Sequence, residues 1–189
     1  MSALGRGKSF ERTVAKRLSQ WLTEGTTDSA LARQSMMGRM VEKIYGDIVP
    51  NPNTKRWKAP AMWFSDNFVI DAKNRQAFRV VRLLNPGCPF WEWWEKLSED
   101  AAMCGGRKRM MILLNKPGCE KILALGSAEV GWLKEKIGDF PFPLLKVWRH
   151  PTADATEAAF FCDLDQFLRA VSPVTLGRPE PGQVAEEVL

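Results

Sequence analysis

The sequence predicts an α/β fold: a mixed central β-sheet flanked by helices. Three observations carry that expectation. The chain opens on an amphipathic helical pattern, two short apolar runs of strand length follow with a helical stripe between them, and no internal repeat competes with this order. Residues 8–23 form the first helix, with Phe10, Val14, Leu18, Trp21 and Leu22 at helical spacing and Gly25 as its stop. Glu11 lies at the border of that apolar face, so it points along the core edge. Residues 26–46 are polar and irregular, and Ile44–Val49 reads as a short strand.

Residues 50–66 carry prolines and tryptophans and read as a loop or irregular hairpin. Asn67–Lys73 is a strand whose Phe68–Ile70 run is apolar enough to be covered on both faces. After the break at Asn85-Pro86-Gly87, a second helix starts near Pro89, lines up Phe90, Trp94, Leu97 and Ala101, and ends at Gly105-Gly106. Trp94 belongs to its core stripe; Trp91 and Trp93 flank it, and core packing is the preferred reading over a groove or dimer seam. Arg109–Asn115 is another buried strand. A helix around 127–137, strands around 144–149 and 157–162, and a helix capped by Asp163 and Gln166 complete the order. Residues 173–189 have little to bury and read as a flexible tail.

Composition narrows the chemistry. With 189 residues, 45% hydrophobic and 26% charged, the chain has the means for one well-buried domain and is not disordered as a whole. No apolar run approaches a membrane span and Met1–Lys8 has no signal-peptide core, so a soluble, cytoplasmic protein with no membrane partner is expected. The four cysteines are far apart, which disfavours a zinc ribbon or a disulfide scaffold. The single histidine, His150, excludes mechanisms that need two, so any metal must be a hard ion held by carboxylates, Mg²⁺ or Mn²⁺. Gly5-x-Gly7-Lys8-Ser9 lacks the first glycine and the preceding strand of a phosphate loop.

Charge is unevenly spread. Residues 1–109 hold 19 Lys and Arg against 11 Asp and Glu, a net +8, whereas residues 110–189 hold 8 against 11. A basic front half fits a phosphate-rich partner, with a merely solvated surface as the alternative. Its positive charge is clustered: Arg6, Lys8, Arg12, Lys16 and Arg17; Lys55, Arg56 and Lys58; Lys73, Arg75, Arg79 and Arg82; and Arg107, Lys108 and Arg109. The last cluster is either a phosphate contact or a solvated turn.

Two acids stand out. Asp47 lies in a short strand and Asp71-Ala72-Lys73 ends another, where Asp71 and Lys73 project to the same side. Carboxylates on neighbouring strands can share a divalent ion, and a lysine two residues on can orient or deprotonate a water beside it. Those are the parts needed to hydrolyse a phosphodiester. Charges at the end of a buried apolar strand are costly without a use, although the triplet also occurs by chance.

In the order Gly7-Lys8-x-x-Glu11-Arg12, Arg33-x-Ser35, Gly46-Asp47-Ile48 and Ile70-Asp71-Ala72-Lys73, the chain resembles the PD-(D/E)XK nuclease superfamily. Within it, the resemblance is to archaeal-type Holliday junction resolvases and their phage relatives, and it covers roughly residues 5–115. It implies a restriction-endonuclease-like core over about 5–115 with a C-terminal α/β extension over 116–172. It also implies a homodimer acting on branched or duplex DNA in recombination, repair or phage DNA processing, in a bacterial, archaeal or phage-infected cell. Glu11, Asp47 and Asp71 would be the metal-site acids and Lys73 the catalytic lysine. Arg33 and Ser35 would position the phosphate, and the second helix would offer Glu92, Glu95 or Lys96. Lys8, Arg12, Lys55, Arg56, Lys58 and Arg75 are the further candidate DNA contacts. Gly46 stands where the superfamily has proline, and Asp71 where resolvases usually have glutamate. The Asp47–Asp71 insertion is either a DNA-contacting hairpin, with Trp57 and Trp63 stacking on bases, or a surface loop anchored by them. A non-catalytic DNA-binding protein on this scaffold, or a restriction-like or end-processing nuclease, are the alternatives.

Overall fold

The structure is a computed structural model, and it describes residues 3–34, 46–74, 83, 88–114, 120–149 and 157–182, with side chains from residue 7 onward. Its elements are α1 (Ala3–Leu22), β1 (Leu31–Arg33), β2 (Ile48–Pro50), α2 (Lys58–Asn67), β3 (Phe68–Lys73), α3 (Phe90–Met103), β4 (Lys108–Leu114), β5 (Lys121–Gly126), α4 (Ser127–Ile137), β6 (Leu145–Trp148), β7 (Ala158–Asp163) and α5 (Leu164–Ala170). Five strands form one sheet in the order β3-β4-β5-β7-β6, with β3 and β4 parallel and the other pairs antiparallel. The expected mixed sheet flanked by helices is present. No helix among the described residues is long and apolar enough to cross a membrane.

The sheet is covered on both sides because β3 and β4 carry consecutive apolar residues, Phe68–Ile70 and Met110–Leu113, that face both ways. Phe68, Ile70 and Ala72 of β3, with Met110 and Ile112 of β4, pack with Phe10, Val14 and Leu18 of α1 and with Phe64 of α2. The alternate residues, Val69, Met111 and Leu113, meet Phe90, Trp91, Trp94 and Leu97 of α3. Trp91 and Trp94 are thus core residues, and Trp93 packs half-buried against the same cluster. Asp163 caps α5 by accepting the Gln166 backbone N–H at 2.8 Å.

Several expectations are corrected. Residues 58–67 are helical, not a loop or hairpin. Pro60 sits in the first turn, where no intrahelical donor is lost, and Trp57, Ala61 and Phe64 give the apolar stripe. Trp57 is buried and Trp63 packs half-buried and edge-on against Phe68 at 6.0 Å, so both indoles anchor this segment to the core. β1 lies in the stretch read as irregular, and β5 in a stretch without an assignment. Both are short or partly covered, and their strand character comes from their pairing partners. Residues 173–182, read as tail, pack on the body of the molecule. Leu176 and Arg178 are buried, Arg178 Nη1 donates to the Leu22 carbonyl at 2.9 Å, and the Gly182 N–H donates to the Arg56 carbonyl at 3.2 Å. His150, Cys119 and residues 183–189 lie outside the described residues.

The basic triplet 107–109 is not a solvated turn, because each of its side chains has a partner within the protein. Arg107 pairs with Asp66 at 3.5 Å, Lys108 Nζ sits 4.3 Å from the Trp132 ring centroid, and Arg109 is tied to Glu129 at 3.1 Å and Glu157 at 3.3 Å. Arg109 also donates to Ser98 Oγ at 2.6 Å, so one guanidinium joins β4, α3, α4 and the start of β7. Glu129→Ala removes the main partner of a largely buried cation. It is expected to lower stability by about 3–5 kcal/mol and Tm by on the order of 10 °C in a thermal melt.

Candidate active site

β3 is an edge strand of the sheet, and it delivers two of the expected side chains. Strand alternation sends Ile70 and Ala72 into the core under α1, so Asp71 and Lys73 take the opposite face. They stay partly open there, 14% and 26% exposed, with Lys73 Nζ 2.6 Å from Asp71 Oδ1.

Asp47 reaches the same place from another part of the chain. Gly46 forms an isolated parallel bridge to Ile70, and the Asp47 N–H donates to the Ile70 carbonyl at 2.7 Å. Asp47 Oδ2 then accepts the Ala72 N–H at 2.8 Å. Gly46 has φ +72°, and a Cβ there would overlap the Ile70 carbonyl, so glycine is what lets this segment lie so close to β3. The Asp47 carboxyl ends up against that of Asp71. Burial first, then the Asp71 charge and a hydrogen bond to Asp71, push Asp47 up to about 7; Lys73 and the Ala72 amide pull in the other direction.

Two touching carboxylates, one of them buried, resist being ionised together unless a cation shares their charge. The donors are oxygens, which suits a hard divalent ion and not a soft one. Asp47 and Asp71 are therefore the residues that could hold such an ion, with Lys73 as the adjacent cation.

Glu11 takes a different position from the one expected. Its Oε2 accepts from Arg33 Nε in a half-buried ion pair, and among the described residues no three His, Cys, Asp or Glu side chains gather where they could hold a metal. The pair is nevertheless close to the site in chain register, because Arg33 lies opposite Ile48 in the β1–β2 ribbon, one residue from Asp47. The structure thus brings Asp47, Asp71 and Lys73 together and pairs Glu11 with Arg33. Lys8 is half-buried on α1, whereas Arg12, Lys55, Arg56 and Lys58 are exposed, the last three around the start of α2. Ser35 and Arg75 lie outside the described residues. On α3, Glu92 and Lys96 are exposed and Glu95 pairs with Arg149 at 3.4 Å.

One residue escaped the sequence reading. Gln34 donates its backbone N–H to the Asp47 carbonyl at 2.9 Å. Its side chain is buried, and its Oε1 has no hydrogen-bond partner among the described residues. Nothing in a polar stretch marks one glutamine as buried; only its place between Arg33 and Ser35 draws notice.

The Asp47 shift has a consequence for stability. An unfolded aspartate titrates near 3.8, so between that pH and about 7 the folded chain holds a proton that the unfolded chain has lost. The cation-free protein therefore loses stability as pH rises through this window. In chelator, Tm is expected to fall by several degrees from pH 5 to pH 8, and Asp47→Asn to flatten that slope and melt higher at pH 8. Equal slopes for parent and variant would contradict the carboxyl contact.

With the geometry in place, comparison with known proteins adds the family. No curated protein and no solved structure matches the chain. A family model described as phage putative PDDEXK endonuclease matches residues 3–173, which includes Asp47, Asp71 and Lys73 and all of the described strands. The edge-strand Asp-Ala-Lys with an aspartate strapped across it is thus set in a family match that spans most of the chain, and the chain belongs to this family of phage PDDEXK endonucleases within the PD-(D/E)XK superfamily.

Proposed function

We propose that the protein is a metal-dependent DNA endonuclease that hydrolyses phosphodiester bonds at Asp47, Asp71 and Lys73, acting on branched DNA in the manner of a Holliday junction resolvase. The observation that carries the catalytic reading is the convergence of two carboxylates and one amine from separate chain segments on the edge of β3. Family membership supports the nuclease class, and the order of motifs from Gly7 to Lys73 supports the resolvase-like substrate.

In this reading Asp47 and Asp71 hold Mg²⁺ or Mn²⁺. Such an ion, when bound, supplies charge neutralisation at the phosphate and polarises a water. The chain's own residues do the rest. The Ala72 amide and Gly46 fix the Asp47 carboxyl, and Asp71 fixes the Lys73 ammonium by their ion pair. Lys73 orients the attacking water and balances the charge that grows on the phosphate oxygens. The leaving group is a 3′-hydroxyl. Glu11 supports the site through Arg33, and Arg33, once released by a phosphate, can turn to the DNA strand. Lys8, Arg12, Lys55, Arg56 and Lys58 neutralise phosphates away from the cut. Cutting two strands of a junction calls for two sites, hence a two-fold dimer.

Asp71→Ala is expected to reduce Mg²⁺-dependent cleavage of junction DNA to background, and Lys73→Ala to slow it by at least about a hundredfold, with DNA affinity nearly unchanged. Parent-like cleavage by either variant would refute the site. Joint replacement of Lys55, Arg56 and Lys58 by Ala is expected to weaken DNA binding without abolishing cleavage at saturation. It should reduce the slope of log affinity against log salt by about 2–3, as read from fluorescence anisotropy across a salt series. An unchanged slope would remove these three residues from the DNA surface.

A further inference from the structure

The register of the small β1–β2 ribbon brings the Gln34 backbone against Asp47. Leu31, Ala32 and Arg33 face Pro50, Val49 and Ile48, and the Gln34 N–H bond to the Asp47 carbonyl continues that register by one residue. Gln34 therefore lies directly beside Asp47 at the end of the ribbon, where Asp47 bends and turns its own N–H to Ile70 of β3. Asp47 is already committed there, since its carboxyl lies against Ala72 N–H and Asp71.

Gln34 is 7% exposed, and its Oε1 is buried with no hydrogen-bond partner among the described residues. A buried carbonyl oxygen left unpaired is a standing cost to the fold, of the kind retained where the group has a ligand to meet. Glu11, the third acid, is drawn off by Arg33, so the described acidic side chains contribute only two members to the site. A neutral side-chain carbonyl is an accepted oxygen donor for a hard divalent ion, and it adds no charge to a crowded carboxylate pair.

From the backbone contact with Asp47, the burial and the orphaned oxygen we infer that Gln34 Oε1 is the third protein oxygen of the divalent-cation site, beside Asp47 and Asp71. This rests on the reading of the two aspartates as that site. Among the described residues, Gln34 is then the group that sets how tightly the ion is held, while the aspartates supply the charge.

The test is Mn²⁺ binding to the full chain without DNA, by calorimetry, together with melting in chelator. Gln34→Leu keeps the bulk and removes the oxygen. It is expected to weaken Mn²⁺ binding by about tenfold or more while its cation-free Tm stays level or rises, because an unpaired buried carbonyl has gone. Gln34→Glu retains an oxygen and adds charge, and it is expected to bind Mn²⁺ more tightly than the parent. Parent-like Mn²⁺ affinity in Gln34→Leu, with Asp71→Asn abolishing binding, overturns the role of Gln34 and leaves the aspartate pair standing. A parent that binds no Mn²⁺ at all overturns both. Should Gln34→Leu fail to fold, Gln34→Glu decides alone: tighter binding upholds the inference, and equal or weaker binding overturns it.

Discussion

The candidate site depends on one constraint, the close approach of residues 46 and 47 to the open edge of β3. Two hydrogen bonds hold it, one from the Asp47 N–H to Ile70 and one from the Ala72 N–H to the Asp47 carboxylate. Both use backbone groups that an edge strand leaves unpaired on its free side. The strap thus satisfies the sheet edge and places an acid against Asp71 in the same act. A side chain at position 46 would collide with the Ile70 carbonyl, so the glycine is a condition of the contact.

The rest of the fold makes that edge firm. β3 is gripped from one face by α1 and α2 and from the other by α3, and its parallel pairing to β4 runs over the whole of Phe68–Lys73. Behind it, Arg109 links β4 to α3, α4 and Glu157, so that a shift of the sheet would break several charged contacts in a region with little water. Gly126 leaves the space that the Arg109–Glu129 pair occupies. The strands after residue 116 extend the same sheet, and the segment 173–182 closes over the end of α1 and the start of α2. The polar site rests on an apolar support, which is what keeping two carboxyl groups in contact requires.

Much of this was legible beforehand, and the reason differs by element. α1, β3, α3 and β4 have strong apolar periodicity, so their type followed from burial alone. Asp71 and Lys73 were legible for the same reason, since a charged end on a buried strand is conspicuous. The helix at 58–67 was not, because Pro60 and the neighbouring Asn and Pro residues look like loop chemistry until one sees that the proline sits in a first turn. Arg178 and Leu176 looked like tail residues, since a single apolar side chain in a Pro- and Gly-rich stretch gives no periodic signal. The cluster 107–109 misled in the opposite direction. Charge counted along the chain does not tell a solvated lysine from an arginine with one buried and one half-buried acid waiting elsewhere in the fold.

By itself, the sequence determined the α/β class, the apolar strand that ends in Asp71 and Lys73, and the oxygen-only character of the site, because pattern and residue type are local properties. Only the tertiary structure decided which acid meets Asp71, that Glu11 is engaged by Arg33, and that the Gln34 backbone lies against Asp47. Those are matters of distance between segments dozens of residues apart. Such distances are set by which backbone edges pair and how closely they approach, and no spacing along the chain encodes them.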